Sequence, residues 1–595
     1  MKICNQIGHM KKMVLCTVGL LLALGTMAQT AADGSIVRWF DPLKAGFPVV
    51  QGQAWPQELS GNYHRLPDRM QPKVTPVFWK LASCSAGLSI PFRTNADSIW
   101  VRYVVKDKSL SMYHMPVTGV SGLDLYAYGR HGQEIHMNRQ AKTADSDTLC
   151  YLFYPHGNAH YAKVGYEFQL YLPLYNEVTF LEIGVKEMSQ FEFLPLRSEK
   201  PIVAYGTSIM QGACASRPGM AWSTIMARKL DMPLLNFGFS GSGKMDSVIV
   251  AELGTIDACL YIVDCLPNLA LHPDSVVVDL YRKGVALLRR HHYAPILLVE
   301  HAEAYQDEGD SAARHKNDLL KRCYEQLCAE GVKDLYYLSC DEIDLPQDAL
   351  VDGIHPSDYG MVQQAVVCEK KVREILKMPA GDCATCYPIR QRREAPYYEW
   401  RERHEGFMAQ NRADAPKCVV LGNSIVHYWG GSDERFVKYG GENWSKTMAV
   451  AGFRNLGCGY DRIENVLWRV THGELDGYDA DRVVIMIGTN NIGFDTDEDI
   501  VRGIVNLAAV VKLRQPNAQI EVIGLLPRRG FEEQIARINA LLEPQVVAGG
   551  AIFRNPGVRL LKTNGKINES LFLDGLHPNE KGYNRIGDEI AFGKR

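Results

Sequence analysis

A five-residue pattern near residue 355 recurs near residue 577, and each copy follows the same kind of strand–turn at nearly the same distance. Asp352-Gly-Ile-His-Pro356 and Asp574-Gly-Leu-His-Pro578 both set a carboxylate three residues before an imidazole. Val203-Ala-Tyr-Gly-Thr-Ser-Ile209 and Val420-Leu-Gly-Asn-Ser-Ile425 both set a serine in a Gly-containing turn directly after an apolar run. Ser208 precedes His355 by 147 positions, and Ser424 precedes His577 by 153. One Asp-Gly-x-His-Pro is a weak signal, because loop Asp–His pairs are often structural. Two copies at matched distances from matched turns require two units of one fold in series.

The surrounding patterns say which fold. From about residue 200, short apolar runs (Pro201–Tyr205, Leu234–Phe237, Cys259–Val263, Ile296–Val299, Leu335–Leu338) alternate with helical segments at Ala221–Leu230, Asp274–Arg290, Ser311–Cys328 and Tyr359–Leu376. Continuous apolar strands imply a parallel sheet covered on both faces, which predicts an α/β doubly wound unit over 197–378. The alternation restarts at Lys417–Leu421 and continues through Arg482–Ile487 and Gln519–Ile523, predicting a second such unit over 416–595. Residues 379–415 between them are rich in Pro, charge and aromatics and read as a linker. Residues 34–196 differ. Runs such as Ser98–Val105, Leu123–Tyr128 and Tyr166–Leu172, separated by Gly, Pro, Asn and Asp turns, predict an all-β sandwich.

Composition bounds the partners. The chain has 595 residues and a net charge of -3, which leaves no basic footprint for nucleic acid and no polybasic membrane patch. Lys2, Lys11 and Lys12 precede an apolar run over Met13–Leu24 and a small-residue stretch around Ala28. That run is too short to span a bilayer, so residues 1–29 read as a signal peptide and the chain as exported. No later run is long enough for an integral membrane segment. Of 15 Cys, Cys4 and Cys16 lie in the leader. Cys259, Cys265 and Cys418 sit in apolar strands as small hydrophobes. Cys383-Ala-Thr-Cys386 leaves a local disulfide or two free thiols open, and zinc is disfavoured by the lack of a second pair.

The chemistry follows from residue types. A serine at the carboxyl end of an α/β strand stands where such sheets present ligand sites. An Asp three residues before a His can orient Nδ1–H while Nε2 faces the serine hydroxyl, which makes that hydroxyl nucleophilic without a metal or cofactor. The predicted catalytic residues are therefore Ser208, Asp352 and His355, and Ser424, Asp574 and His577.

These residues resemble the SGNH (GDSL-like) hydrolase superfamily, whose members cleave esters with four short blocks carrying Ser, Gly, Asn and His. In the first unit, Asn236–Gly243 resembles the second block, which implies that the Gly241 N–H is an oxyanion donor. Asp264-Cys-Leu-Pro-Asn268 resembles the third and implies Asn268 as side-chain donor, with Pro267 departing from the usual Gly-x-Asn form. In the second unit, Gly488-Thr-Asn-Asn491 implies Asn490, and both asparagines lie 87 positions before their His. Asn455–Asp461 and Glu464–Trp468 look like the platelet-activating-factor acetylhydrolase branch, where the donor glycine falls on Tyr460. A tyrosine there must carry a positive φ and brings its ring to the acyl site. The Asp usual before the nucleophile is Thr207 in one unit and Asn423 in the other. Gly122-Leu-Asp-Leu-Tyr126 resembles the GxDLY domain found ahead of SGNH hydrolases in secreted bacterial proteins.

The expectation is an exported serine esterase that removes O-acyl groups, chiefly O-acetyl, from carbohydrate. Jelly-roll plus SGNH is also the arrangement of some carbohydrate esterases. A lipid or lysophospholipid acylhydrolase is the alternative within the class. A glycan-binding protein with one or both SGNH units inactive is the alternative outside it. Trp79, Tyr103, Tyr113 and Tyr126 read as core aromatics of the sandwich, Glu300-His301 as structure or rim, and Arg528-Arg529 as a solvated pair or a substrate contact. Oligomeric state is not legible in the sequence.

Overall fold

The computed structural model describes residues 29–30, 36–129, 134–137, 139–143, 148–155, 163–302, 311–393, 395, 397–431 and 437–593. The expected leader, 1–29, lies outside the described residues except for Gln29. No helix among the described residues is long and apolar enough to cross a membrane.

The N-terminal part is a sandwich of two antiparallel sheets, as its alternating strands predict. Ile99–Val105 shows why: every second side chain is buried, and Ile99, Val101, Tyr103 and Val105 face the opposing sheet while Trp100, Arg102 and Val104 face outward. Phe92, Phe168 and Leu170 from the second sheet complete that core.

Each α/β unit is a five-stranded, all-parallel sheet in the order 2-1-3-4-5. The first runs through Leu234–Gly238, Ile202–Gly206, Leu260–Asp264, Ile296–Val299 and Leu335–Leu338. The second runs through Phe453–Gly457, Cys418–Gly422, Arg482–Met486, Gln519–Ile523 and Ile552–Arg554. The central strands are buried along their whole length because helices cover both faces. In this order the chain reverses direction of winding between strands one and three, so a crevice opens at their carboxyl ends.

Residues 379–415 are packed rather than strung between the units. Helix Trp400–Ala413 buries Trp400 and Phe407, two turns apart, in the core of the second α/β unit. Ahead of it, Arg390 lies over the Tyr128 ring at 3.7 Å and pairs with Asp231 (3.3 Å) and Glu167 (3.7 Å). Arg392 donates to the Val164 carbonyl at 3.0 Å and pairs with Glu399 at 3.1 Å. From the second unit, Trp468 Nε1 donates to Asp231 at 3.1 Å. All three parts of the chain therefore meet at one buried, charge-matched junction. Burial alone would raise the Glu167 carboxyl, but Arg390, Arg392 and Arg93 outweigh it and hold the group down at about 2. The thirteen described cysteines, Cys383 and Cys386 among them, are free thiols.

Candidate active sites

Both predicted serines stand at the crevice. Ser208 opens a one-turn helix, Ser208–Gln211, straight after strand Ile202–Gly206, and Gly212 ends it at φ 103°. The Ser208 hydroxyl donates to His355 Nε2 at 2.8 Å, and His355 Nδ1 donates to Asp352 Oδ2 at 2.8 Å. Asp352 Oδ1 accepts the backbone N–H groups of His355 (2.8 Å) and Ile354 (3.1 Å), so the carboxylate cannot rotate away from the imidazole. Partial burial pushes the Asp352 carboxyl up, yet those N–H donors and the imidazole hold it below the ordinary range. The arrangement provides a proton relay from hydroxyl to imidazole, with a fixed anion behind it.

The second site repeats the first. Ser424 opens helix Ser424–His427 after strand Cys418–Gly422, and Asn423 Oδ1 caps it by accepting from Ile425 N at 3.0 Å. Ser424 Oγ donates to His577 Nε2 at 2.9 Å, and His577 Nδ1 donates to Asp574 Oδ2 at 2.7 Å. Asp574 Oδ1 accepts from the His577 (2.8 Å) and Leu576 (2.9 Å) backbones. Burial opposes the shift here too, and the same donors again keep the carboxyl low.

The loops after strand two match atom for atom. Gly238 N donates to Asn236 Oδ1 and Gly457 N to Asn455 Oδ1, each at 2.8 Å. Phe239 N reaches the Gly206 carbonyl and Cys458 N the Gly422 carbonyl, each at 3.0 Å. Gly241 then takes φ +65° and Tyr460 φ +59°, so the tyrosine occupies the backbone conformation that the glycine holds in the other unit. A left-handed tyrosine is uncommon, and a residue kept there against its preference marks a place where the surroundings over-determine the backbone. Asn268 follows strand three. With Oδ1 accepting from Ser242 N (3.2 Å) and Gly243 N (3.1 Å), its NH₂ group remains to donate. Asn490 Nδ2 donates one hydrogen to the Asp461 carbonyl at 2.9 Å, which pins it beside the Tyr460 loop.

Four residues with no motif to reveal them support these sites. Gln211, three after Ser208, accepts from Ser240 N at 3.0 Å and donates to the Leu174 carbonyl of the sandwich at 3.1 Å. His427, three after Ser424, does the first half of that task, as its Nδ1 accepts from Gly459 N at 3.2 Å. The i+3 spacing from the nucleophile is the signal that links the pair. From the sandwich, Tyr175 OH donates to the Ser208 carbonyl at 3.3 Å, and the His114 ring stacks on His355 with centroids 5.8 Å apart.

The Gly-x-Asp-Leu-Tyr motif explains how the sandwich reaches the site. Asp124 is fully buried and accepts from Arg217, from Gly219 N at 3.0 Å and from His136 Nε2 at 2.7 Å. Arg217 also donates to Tyr126 OH at 2.8 Å, so the loop that follows the Ser208 helix is clamped to the sandwich. Tyr103 and Tyr126 are core residues as expected, and Trp79 is half-buried. Tyr113 is not a core residue. It stands 95% exposed, its ring tilted 50° against His114 with centroids 4.3 Å apart, because a tight Met112–Met115 turn projects both rings from the sandwich. Glu300 is structural, accepting from Tyr337 OH and from Cys340 N at 2.7 Å. Arg529 pairs with exposed Glu569 at 2.7 Å, while Arg528 donates to the Thr489 carbonyl next to Asn490.

Comparison with known proteins agrees with this geometry. Residues 199–373 and 420–585 each match a GDSL-like lipase/acylhydrolase family, and residues 37–191 match the GxDLY domain, the N-terminal part of SGNH-hydrolase-type esterases. Platelet-activating factor acetylhydrolase IB subunit alpha1 of Bos taurus is 30% identical over 192 residues, spanning 31% of this chain and 78% of that protein. Subunit alpha2 of Homo sapiens is 28% identical over 193 residues, spanning 31% and 80%. A crystal structure of a GDSL-like lipase from Bacteroides ovatus superposes with a TM-score of 0.51 at 29% identity, covering 57% of this chain and 98% of that one.

Proposed function

Because this chain belongs to the GDSL-like lipase/acylhydrolase family and is an esterase by that membership, we propose that it cleaves O-acetyl esters of carbohydrate at two serine centres. The observation that carries the two-centre reading is the unbroken Ser–His–Asp hydrogen-bond chain in both units, 2.8 and 2.8 Å in one and 2.9 and 2.7 Å in the other.

As Ser208 Oγ attacks the ester carbonyl, its proton passes to His355 Nε2 and the carbonyl electrons move onto oxygen. The Ser208 and Gly241 N–H groups and the Asn268 amide receive that oxyanion, each donor being worth about 3 kcal/mol in the transition state. His355 then returns the proton to the departing alcohol oxygen, and water repeats the sequence to release the acid. Ser424, His577, the Tyr460 N–H and Asn490 take the same roles in the second unit.

Two observations support the finer assignment. The relatives named above are acetylhydrolases, which favours a short acyl group. At the first site, the exposed Tyr113 ring, tilted against the His114 ring that stacks on His355, offers a flat apolar face of the kind a pyranose ring covers. We also infer export, on the strength of the charged and apolar N-terminal segment.

Fluorophosphonate labelling tests the esterase reading, and a chain that labels at neither serine is a binding protein instead. Acetate release from acetylated xylan, pectin and O-acetyl sialic acid tests the substrate. Turnover of a long-chain ester with no acetate from any glycan would overturn the carbohydrate assignment. A mature chain beginning near residue 29, read by N-terminal sequencing, tests export.

A further inference from the structure

One cluster beside the first serine reaches beyond the hydrolytic relay, joining Asp352 and His355 to two residues that take no part in it, His114 and Cys214. His114, Cys214, Asp352 and His355 each offer one ligand atom, and these four atoms lie within 4.8 Å of one another. Among the described residues no other set of His, Cys and carboxylate side chains is gathered this closely. We propose that this cluster is a zinc site, and that zinc bound there switches off the Ser208 centre.

The donor set fits that ion. Two imidazoles, a thiol and a carboxylate form a mixed N, S and O shell typical of Zn²⁺, whereas Mg²⁺ and Ca²⁺ ask for oxygen alone. Tetrahedral bonds of the usual length put ligand atoms about 3.3–3.8 Å apart, so closing the shell takes side-chain movement of about 1 Å. The cluster is also assembled rather than accidental. His114 is carried on the Met112–Met115 turn, closed by backbone bonds of 3.0 and 3.1 Å, and its Nδ1 is buried with no hydrogen-bond partner. Cys214 is held at φ +69°, a left-handed conformation that a cysteine does not choose, by the turn that ends the Ser208 helix. The negative Asp352 attracts a cation, and the Cys214 thiol gives its proton to solvent as the thiolate binds.

The consequence for catalysis follows from bonds already described. His355 uses Nε2 for Ser208 and Nδ1 for Asp352. Zinc on either nitrogen removes one of those hydrogen bonds, and zinc on Asp352 withdraws the anion that supports the imidazole. Among the described residues the second unit has no equivalent set. The position six residues after its serine is Gly430 where the first unit has Cys214, and the rings against His577 are Tyr428 and Tyr439.

The binding arm of the test is independent of any esterase reading. Full-length, metal-free Ser208→Ala protein keeps all four ligands and is titrated with ZnCl₂ by calorimetry. One ion per chain is expected, with affinity lowered in the same background by His114→Ala or Cys214→Ala. The loss should be at least the ~10–100-fold that removal of a second-shell partner costs. Unchanged affinity in both variants overturns the site. Where a variant fails to fold, Co²⁺ added to the wild-type chain decides: a thiolate-to-cobalt charge-transfer band supports the site, and its absence overturns it. The activity arm rests on the proposed function. With p-nitrophenyl acetate, Ser424→Ala protein should lose turnover on zinc addition and regain it with EDTA, while Ser208→Ala protein should be indifferent. Equal inhibition of both overturns the switch, whereas no turnover from either without zinc rejects the esterase reading and leaves the binding result standing.

Discussion

The two serine centres share a skeleton and differ in what covers it. In the first, the sandwich supplies Tyr175 against the serine carbonyl, His114 against the imidazole and the Leu174 carbonyl that anchors Gln211. In the second, among the described residues, Ser424, Asp574 and His577 have no hydrogen-bond or ring partner from the sandwich. The Asp352 side chain is 24% exposed and the Asp574 side chain 53%. Yet the hydrogen-bond lengths within the two relays agree to 0.1 Å. The α/β sheet alone therefore delivers the relay, and the sandwich contributes surface and control. That separation lets a duplicated unit keep its relay while the surface around it changes.

Silencing one serine at a time should give the largest effects. Ser208→Ala and Ser424→Ala should each lower kcat at their own centre by about 10⁶-fold and leave the other intact. Fluorophosphonate labelling with peptide mapping reads both at once. A Ser424 that fails to label in the Ser208→Ala chain would mean that matched geometry is not enough, and that the covering domain matters to reactivity itself.

The junction gives the next largest effect. Arg390→Ala leaves Asp231 and Glu167 buried with less compensation, which should cost about 3–5 kcal/mol, read as a lower midpoint in urea. Acid should do the same by protonation. Glu167 is held near 2 and Asp231 is also held low, because paired arginines outweigh a burial effect that acts the other way. Such groups add stability that is fully present above their unfolded values of about 4, and lost as pH falls toward 2. Glu167 belongs to a sandwich strand. As the pH falls toward 2, the sandwich should therefore open to cleavage by pepsin before the second α/β unit does, and simultaneous cleavage would show the two to be coupled as one.

Asn268→Ala and Asn490→Ala should each cost about 10²–10³ in kcat. The two losses should be equal if Tyr460 N–H donates as Gly241 N–H does. A smaller loss for Asn490→Ala would show the second oxyanion site to be the poorer one.

The relay was legible in the sequence because it rests on short-range facts: a serine after a strand, a carboxylate three residues from a histidine, a repeat of both. The parallel strands were legible for the same reason, their apolar runs being local. What escaped depends on partners far along the chain. Arg390 and Arg392 fall in the stretch that reads as a linker, because the acids they pair with, Glu167 and Asp231, lie more than 150 positions away. Trp400 and Phe407 are only two residues in a charged stretch, too few to announce a core helix. Tyr113 read as a core aromatic because its neighbours are apolar, but the turn that carries it points outward. Gln211 and His427 carry no motif at all, since accepting one backbone N–H can be done by an amide or an imidazole alike.

The smallest expected effects separate backbone from side chain in the loop where the units diverge most. An added Cβ at Gly241 meets no atom within 4 Å, so Gly241→Ala should cost only what a left-handed alanine costs, about 1 kcal/mol. Tyr460→Gly relieves that same conformation but frees the unfolded chain, so its stability should stay within about 0.5 kcal/mol of the parent. Thermal unfolding measures both. The Tyr460 ring is half exposed on the loop whose backbone bonds to Gly422 and His427 on either side of Ser424, and its removal should instead alter choice of acyl group. In a Ser208→Ala background, Tyr460→Gly should raise the ratio of butyrate to acetate ester turnover toward that of the Gly241 centre. An unchanged ratio would put the ring outside the acyl pocket, and the difference between the two centres would then lie in their covering surfaces alone.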